Sequence, residues 1–315
     1  MSTGSLPARI VFMGTPDFAV ASLDALLAAG AVPVAVCTQG DKPAGRGRAL
    51  TMPPVKVRAL ERGLPVMQPL TLRDPTVAEE LRALAPDVIA VAAYGKILPQ
   101  AVLDIPPLGC LNVHASLLPR HRGASPIAHA IWAGDELAGV SIMRMEAGLD
   151  TGPVYLKRSM PLPKGATTGS LTPLLAAMGG ELLVEVLRRL DEGGMRPAPQ
   201  DDGLATLAPR MKPEQGRLEF ALPAHVLERQ IRAFDPWPGT FFEFAGEHIK
   251  VLSAAVGTAV SPTLSPGQVM DGHGLSVVCG EGTSLLLSII QRAGKRPLPS
   301  SEVLRGFKIP AGTRL

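Results

Sequence analysis

Arg9-Ile10-Val11-Phe12-Met13-Gly14 is an apolar run that ends on a glycine, and the segment after it, Asp17 to Ala29, places apolar side chains at helical spacing. An unbroken apolar run marks a strand buried on both faces, and the switch from continuous to helical periodicity marks a strand, a turn and a helix in succession. The same alternation recurs downstream. Strand Val32 to Cys37, helix Val55 to Arg62, strand Val66 to Gln68, helix Pro75 to Ala83 and strand Val88 to Ala93 follow one another. Buried strands alternating with amphipathic helices predict an α/β domain built on a parallel sheet with both faces covered.

That domain continues through a strand at Cys110 to His114, a Pro-rich loop, a helix from Ser125 to Ala133, strands at Val140 to Met145 and Val154 to Lys157, and a long helix from Leu171 to Leu190. Gly193-Gly194 and the polar, Pro-rich stretch after them break all periodicity, which reads as a linker. A helix at Ala224 to Ala233 follows, then the turn Pro236-Trp237-Pro238-Gly239. Short β-like runs lie at Thr240 to Phe244, His248 to Ala254, Gly267 to Met270, Leu275 to Cys279 and Ser284 to Gln291. Short strands separated by Gly and Pro turns predict a small β-barrel of the OB type. The expected division is a catalytic domain over 1–192, a linker over 193–213 and the small domain over 214–315, consistent with a chain too long for one comfortable core.

Composition excludes several classes of function. No run of about 18 uninterrupted apolar residues suits a bilayer, so no membrane role is expected. The first residues, Met1 to Pro7, lack the pattern of an export signal, which makes the cytoplasm the expected address. Nothing such as a heptad seam suggests assembly, and a monomer is expected. Cys37, Cys110 and Cys279 are far apart and lie in apolar segments, as reduced, buried thiols do. His114, His121 and His129 lack metal-ligand spacing, and no metal is expected. A net charge of +3 leaves any argument for a nucleic-acid partner to local clusters.

An open parallel sheet binds its ligand at the C-terminal ends of its strands. The first such end, Gly14-Thr15-Pro16-Asp17-Phe18-Ala19, lacks the further glycines that let a dinucleotide pyrophosphate approach the backbone, which disfavours a nicotinamide dehydrogenase. The end at Asn112-Val113-His114 is more informative. Residues i and i+2 of a strand point the same way, so an amide and an imidazole face one ligand together while Val113 turns back to the core. An amide that donates to a developing oxyanion and a histidine that donates a hydrogen bond or a proton are the tools of acyl transfer. Asp150, in Gly148-Leu149-Asp150-Thr151-Gly152, is a third candidate, able to hold His114 protonated or to position a water. On spacing alone, Asn112 and His114 serve equally well as satisfied structural polar groups.

The block Asn112-Val113-His114-Ala115-Ser116-Leu117-Leu118-Pro119-Arg120-His121-Arg122-Gly123-Ala124-Ser125-Pro126-Ile127, taken with Gly148-Leu149-Asp150-Thr151-Gly152, resembles the signature of formyltransferases that use 10-formyltetrahydrofolate. Gly14-Thr15-Pro16-Asp17-Phe18, Pro43-Ala44-Gly45-Arg46-Gly47, Tyr94-Gly95-Lys96-Ile97-Leu98-Pro99 and Ile231-Arg232-Ala233-Phe234-Asp235-Pro236-Trp237-Pro238-Gly239 extend the resemblance across the chain. They narrow it to the methionyl-tRNA formyltransferase family. The resemblance implies a Rossmann-like catalytic domain joined to an OB-like domain that helps hold tRNA. It also implies 10-formyltetrahydrofolate as formyl donor and the α-amine of methionyl initiator tRNA as acceptor. By motif position Asn112, His114 and Asp150 take the catalytic places, and Ser116, Leu117, Leu118 and Pro119 the folate-binding place. The chain departs from the family at Phe220, where Trp is usual, at Asp235, where Asn is common, and at Thr172-Pro173, in place of a Tyr-containing stretch.

Three further features carry expectations. The loop Asp41-Lys42-Pro43-Ala44-Gly45-Arg46-Gly47-Arg48 is either a solvated connection or, read with the resemblance, an insertion against the acceptor end of tRNA through Lys42, Arg46 and Arg48. Arg292, Lys295 and Arg296 form a second basic cluster that either tracks phosphates or is a solvated turn. Trp237, among prolines and beside Phe234, is expected to be a core or interdomain anchor. Rival readings are a formyltransferase acting on a small amine, a formyltetrahydrofolate hydrolase and a non-catalytic RNA-binding protein.

Overall fold

The computed structural model describes residues 6–44, 49–191, 193–261 and 263–315. The chain starts with β1 (Ile10–Gly14), α1 (Asp17–Ala28), β2 (Ala35–Cys37), β3 (Lys42–Ala44), β4 (Ala49–Thr51), α2 (Pro54–Glu61), β5 (Val66–Met67), α3 (Pro75–Ala83), β6 (Val88–Ala92), α4 (Gln100–Leu103) and β7 (Cys110–His114). It continues with α5 (Pro126–Ala133), β8 (Leu137–Arg144), β9 (Val154–Pro161) and α6 (Thr168–Asp191). The C-terminal part holds α7 (Ala224–Ala233), β10 (Thr240–Phe244), β11 (Glu247–Val256), β12 (Leu275–Cys279), β13 (Thr283–Gln291), β14 (Leu298–Pro299) and α8 (Ser300–Gly306).

Seven strands form the first sheet in the order β5-β2-β1-β6-β7-β8-β9. The first five run parallel, as the β-turn-α alternation predicts, with Val11 opposite Ala35 and Ile89 opposite Cys110. The expectation of a parallel sheet does not extend to β8 and β9, which are antiparallel to their neighbours. Parallel pairing needs a crossover of a dozen or more residues, and the short turn between Arg144 and Val154 is too brief to provide one for β8 and β9, whereas the longer segment that carries α5 between β7 and β8 leaves that direction to the tertiary structure. β9 is also the edge strand, and its alternating burial differs from the fully buried β1 and β6.

Alternation along the strands sorts the two faces. Val11, Met13, Ile89, Val91 and Cys110 share a core with Val77, Leu81 and Val102 from α3 and α4. Val113 points the opposite way, toward α6, where a side chain on Gly179 would lie 2.6 Å from its Cγ1. α6 is long and apolar enough by length and composition to cross a membrane. Leu171, Leu175, Leu182, Leu183, Val186 and Leu187 are nevertheless buried in the protein's own interior.

Contacts divide the chain into two units. One comprises residues up to Pro126 with Leu137–Pro161 and Thr172–Pro209, and the other Ile127–Glu136, Leu162–Leu171 and Arg210–Leu315. In the second unit β10, β11, β13 and β12 form an antiparallel sheet, with β14 paired to β13. This sheet occupies the place of the small barrel expected from the run of short strands. α7 packs Ala224, Leu227 and Ile231 into the same core as Phe242, Ile249, Leu285 and Phe220. Each buried Leu or Ile of that stripe contributes roughly 1.5–3 kcal/mol. Phe220 fills the family's tryptophan position as an apolar core residue. The strand expected at Gly267 to Met270 is reduced to single pairings, Gln268 with Arg314 and Val269 with Val277, because Gly267 turns there at a φ of 86°. Of the two places expected for Trp237, core or interdomain anchor, the core is not the one it takes. It is half exposed, while Phe234 is fully buried with its ring edge-on to Trp132 at 5.0 Å.

α6 and α1 approach so closely that a side chain on Gly180 would lie 2.8 Å from the Ala21 carbonyl oxygen. Gly to Ala in a helix gains up to about 1 kcal/mol in propensity, whereas overpacking costs about 1–3 kcal/mol. Gly180→Ala is therefore expected to lower the urea midpoint, and an unchanged or raised midpoint would show that the helices can part without cost.

Candidate functional site

The site is built at the C-terminal end of β7. Cys110 points into the core under α4, its Sγ 3.9 Å from the Val102 carbonyl oxygen, and Asn112 and His114 continue on that face beyond the cover. Asn112 is half-buried. Among the described residues its side-chain amide makes no hydrogen bond, so both its donors and its acceptor remain available to a ligand.

His114 is only 5% exposed, and both ring nitrogens are committed. Its Nε2 lies 2.9 Å from the carbonyl oxygen of His121. A backbone carbonyl can only accept, so Nε2 carries the proton. Nδ1 then faces Asp150, whose Oδ2 is 3.6 Å away. That separation is an electrostatic approach rather than a hydrogen bond. The Asp150 Oδ2 also accepts from the Gly123 N–H at 2.8 Å, which fixes the carboxylate between the two loops. The sequence-predicted trio Asn112, His114 and Asp150 is thus on one strand end and one facing loop.

Two turns hold this geometry in left-handed backbone, where a side chain is unfavourable outside glycine and tolerated best in Asn, Asp and His. His121 has a φ of 60° and Asp150 a φ of 52°. Their neighbours make up the cost. The His121 N–H donates to Thr206 Oγ1 at 2.8 Å, and the Arg122 N–H to the Thr206 carbonyl at 2.8 Å. The Gln200 Nε2 donates to the carbonyls of Asp150 and Gly152 at 2.8 and 2.7 Å. Arg122 Nε and Nη2 donate to Gln200 Oε1 at 3.0 and 2.9 Å, and Nη2 to Asp202 Oδ1 at 2.7 Å. These partners all lie in the stretch read from the sequence as linker. Val154 and Ala198 exchange backbone hydrogen bonds, and the Ala208 N–H donates to the Arg122 carbonyl at 2.7 Å, so the stretch packs on the first unit over both loops. Its lack of periodicity concealed this, since a segment held by side-chain and irregular backbone bonds carries no repeating apolar pattern.

The folate-binding residues expected from motif position form a turn whose side chains are largely spent on packing. Ser116 Oγ donates to the Arg120 carbonyl at 2.6 Å. Leu118 is buried with Met143 and Val154. Leu117 lies against Gly139, where an added Cβ would be 2.5 Å from its Cδ2. The buried Ser141 donates to the Ser116 carbonyl at 2.7 Å and accepts from the Leu118 N–H at 3.1 Å, and Lys157 donates to the Leu118 carbonyl. The Leu118–Pro119 peptide is cis. What this turn can offer a ligand is its backbone shape and the half-buried Pro119, not the Ser116 hydroxyl.

The residues expected to meet tRNA are placed only in part. Lys42 is exposed on β3, its Nζ donating to Gln39 Oε1 at 2.5 Å, while Arg46 and Arg48 lie outside the described residues. At the base of that loop Lys56 Nζ donates to Asp41 at 2.9 and 2.8 Å, and this bond holds the Asp41 carboxyl below its ordinary value. In the second basic cluster Arg292 is committed to structure. It pairs with Glu247 at 2.8 Å and lies over the Phe307 ring at 3.8 Å, whereas Lys295 and Arg296 are exposed. The thiols of Cys37, Cys110 and Cys279 are buried, and burial pushes each up to about 12, which removes them as nucleophiles near neutral pH.

The family model for the formyl transferase domain matches residues 8–187, and that for the formyl transferase C-terminal domain matches residues 210–308. A methionyl-tRNA formyltransferase of Chloroflexus aggregans is 49% identical over 304 residues, covering 96% of this chain and 98% of that one. One from Myxococcus xanthus is 50% identical over 308 residues, covering 97% of each. Among solved structures, the N-formyltransferase of Helicobacter canadensis, in complex with folinic acid and dTDP-3-aminofucose, superposes with a TM-score of 0.66 at 16% identity. It covers 91% of this chain and 100% of that one, a likeness of fold alone.

Gly123 sits where these loops meet, at a φ of 124°, and a Cβ there would lie 2.6 Å from the Ala208 carbonyl oxygen. Strained backbone and a backbone clash together cost about 2–4 kcal/mol. Gly123→Ala is expected to lower the thermal midpoint by several degrees, and a midpoint matching the wild type would mean that the 206–208 segment is free to move aside.

Proposed function

The chain belongs to the methionyl-tRNA formyltransferase family, and from that premise we propose that it transfers the formyl group of 10-formyltetrahydrofolate to the free α-amine of methionyl initiator tRNA. It is a one-carbon transferase of protein synthesis, and we place it with its charged tRNA in the cytoplasm. The observation that carries the site reading is the half-buried Asn112 amide, unpaired among the described residues and on the same strand face as the opposed His114 and Asp150.

The folate supplies an activated formyl group and departs with the electron pair of its nitrogen. What this chain's residues contribute is orientation and charge. The Asn112 amide N–H is free to donate to the formyl oxygen, where negative charge develops as the acceptor amine attacks. The His114 Nε2 proton is held by the His121 carbonyl, so proton transfer or donation by this ring runs through Nδ1, the nitrogen that faces Asp150. The Asp150 carboxylate, positioned by the Gly123 N–H, stabilises a proton on Nδ1 or takes one by way of a water.

For the donor, the turn Ser116, Leu117, Leu118 and Pro119 is the favoured wall, acting through its backbone. The packed Leu118 and the clamp from Ser141 keep that turn in shape. For the acceptor, Lys42 with Arg46 and Arg48 are the favoured contacts, each reaching phosphate and so acting on affinity more than on turnover. A small-amine acceptor would not need the basic loop Asp41 to Arg48.

The test is formyl transfer from radiolabelled 10-formyltetrahydrofolate, offered charged initiator tRNA and glycinamide ribonucleotide separately. Transfer to the charged tRNA alone is expected, and transfer to the small amine would replace the acceptor while keeping the site. Loss of one oxyanion donor typically costs about 2.7–4 kcal/mol and loss of a general acid or base about a hundredfold or more, so Asn112→Ala and His114→Ala should each lower kcat by roughly a hundredfold or more. Turnover near the wild type in either variant would remove that residue from the chemistry.

A further inference from the structure

Gln200 uses its whole hydrogen-bonding capacity on the two loops that flank the reacting groups. Its two N–H donors go to the carbonyls of Asp150 and Gly152, and its oxygen accepts twice from Arg122. An amide offers two donors and two acceptor positions, so the group is saturated. Each end of it leads to the proposed chemistry. On one side, the Asp150 carbonyl belongs to the residue whose carboxylate faces His114. On the other, Arg122 follows His121, whose carbonyl holds His114 Nε2.

We propose that Gln200 is a positioning residue for formyl transfer, tying the His121-Arg122 turn to the Gly148–Gly152 loop so that Asp150 meets Nδ1 of His114. The inference rests on the functional reading above and goes beyond it by assigning a role to a residue outside the trio and its motifs. Gln200 touches no reacting atom. It acts because Asp150 stands in left-handed backbone at a φ of 52°, a conformation the loop would not favour unaided. The buried Arg122 completes the link, and its second partner, Asp202, is exposed and screened by solvent, so the Gln200 amide is the stronger constraint on the guanidinium.

Two variants separate positioning from bulk stability. Gln200→Leu keeps the size and removes all four hydrogen bonds. Gln200→Glu keeps acceptors for Arg122 and removes only the donors to Asp150 and Gly152, so it serves if the leucine variant does not fold. A misplacement of about 1 Å at a reacting group costs on the order of a hundredfold, so kcat is expected to fall by roughly 10- to 100-fold in both, with KM for donor and charged tRNA changing by less than about twofold. Nitrogen NMR of the His114 ring is expected to report an altered environment at Nδ1 and an unchanged proton on Nε2. A lowered thermal midpoint with wild-type kcat and an unaltered His114 spectrum would overturn the proposal. Wild-type protein runs beside the variants. If it transfers no formyl group, the functional reading fails, and the His114 spectrum alone decides whether Gln200 sets this pair: an altered Nδ1 supports it, an unaltered one overturns it.

Discussion

The hydrogen bond from His114 Nε2 to the carbonyl of His121 is the constraint on which the site depends. It fixes which ring nitrogen carries a proton and directs the other at Asp150. A carbonyl can be offered to that nitrogen only if the chain doubles back within seven residues of the strand end, and the left-handed turn at His121 does so. A turn of this kind is not self-supporting in a non-glycine residue, so it must be bonded from outside. Thr206 supplies the acceptor for the His121 N–H, and from that need follows the course of the chain from Ala198 to Ala208 along the first unit.

Strand alternation does the complementary work on the other side. Val113 is committed to the face covered by α6, where Gly179 leaves it room, and this directs Asn112 and His114 together to the opposite face. The apolar interior that anchors β7 is therefore also the device that aims its polar ends. The antiparallel pairing of β8 adds Ser141, fully buried beside the turn after His114, where its hydroxyl satisfies a carbonyl and an N–H that would otherwise be lost from water. Motif residues 116–119 are thus held as part of the framework.

Much of this was legible in the residues. The β-turn-α alternation is written in apolar periodicity because parallel strands are buried on both faces, and Asn112 and His114 stand out because their i, i+2 spacing puts an amide and an imidazole on one face of a buried strand's end, with Asp150 joined to them through the motif resemblance. The reversal of β8, which makes its pairings with β7 and β9 antiparallel, was not legible, since periodicity records burial and not polarity of the chain. That Trp237 stays out of the core was hidden for a related reason: an aromatic among prolines reads as apolar, yet Phe234 occupies the buried position and the indole is half exposed.

The stretch from Arg196 to Pro213 marks the boundary between the two kinds of information. By itself the sequence determined the alternating units, the strand end with its amide and imidazole, and the family resemblance, because each depends on local spacing or short contiguous motifs. Only the tertiary structure decided that Gln200 and Thr206 brace the loops bearing Asp150 and His121, and that the proton on His114 sits on Nε2. The bracing depends on partners some 50 to 85 residues apart, and the place of the proton on a turn seven residues past the strand end, each joined by hydrogen bonds that leave no period in the chain.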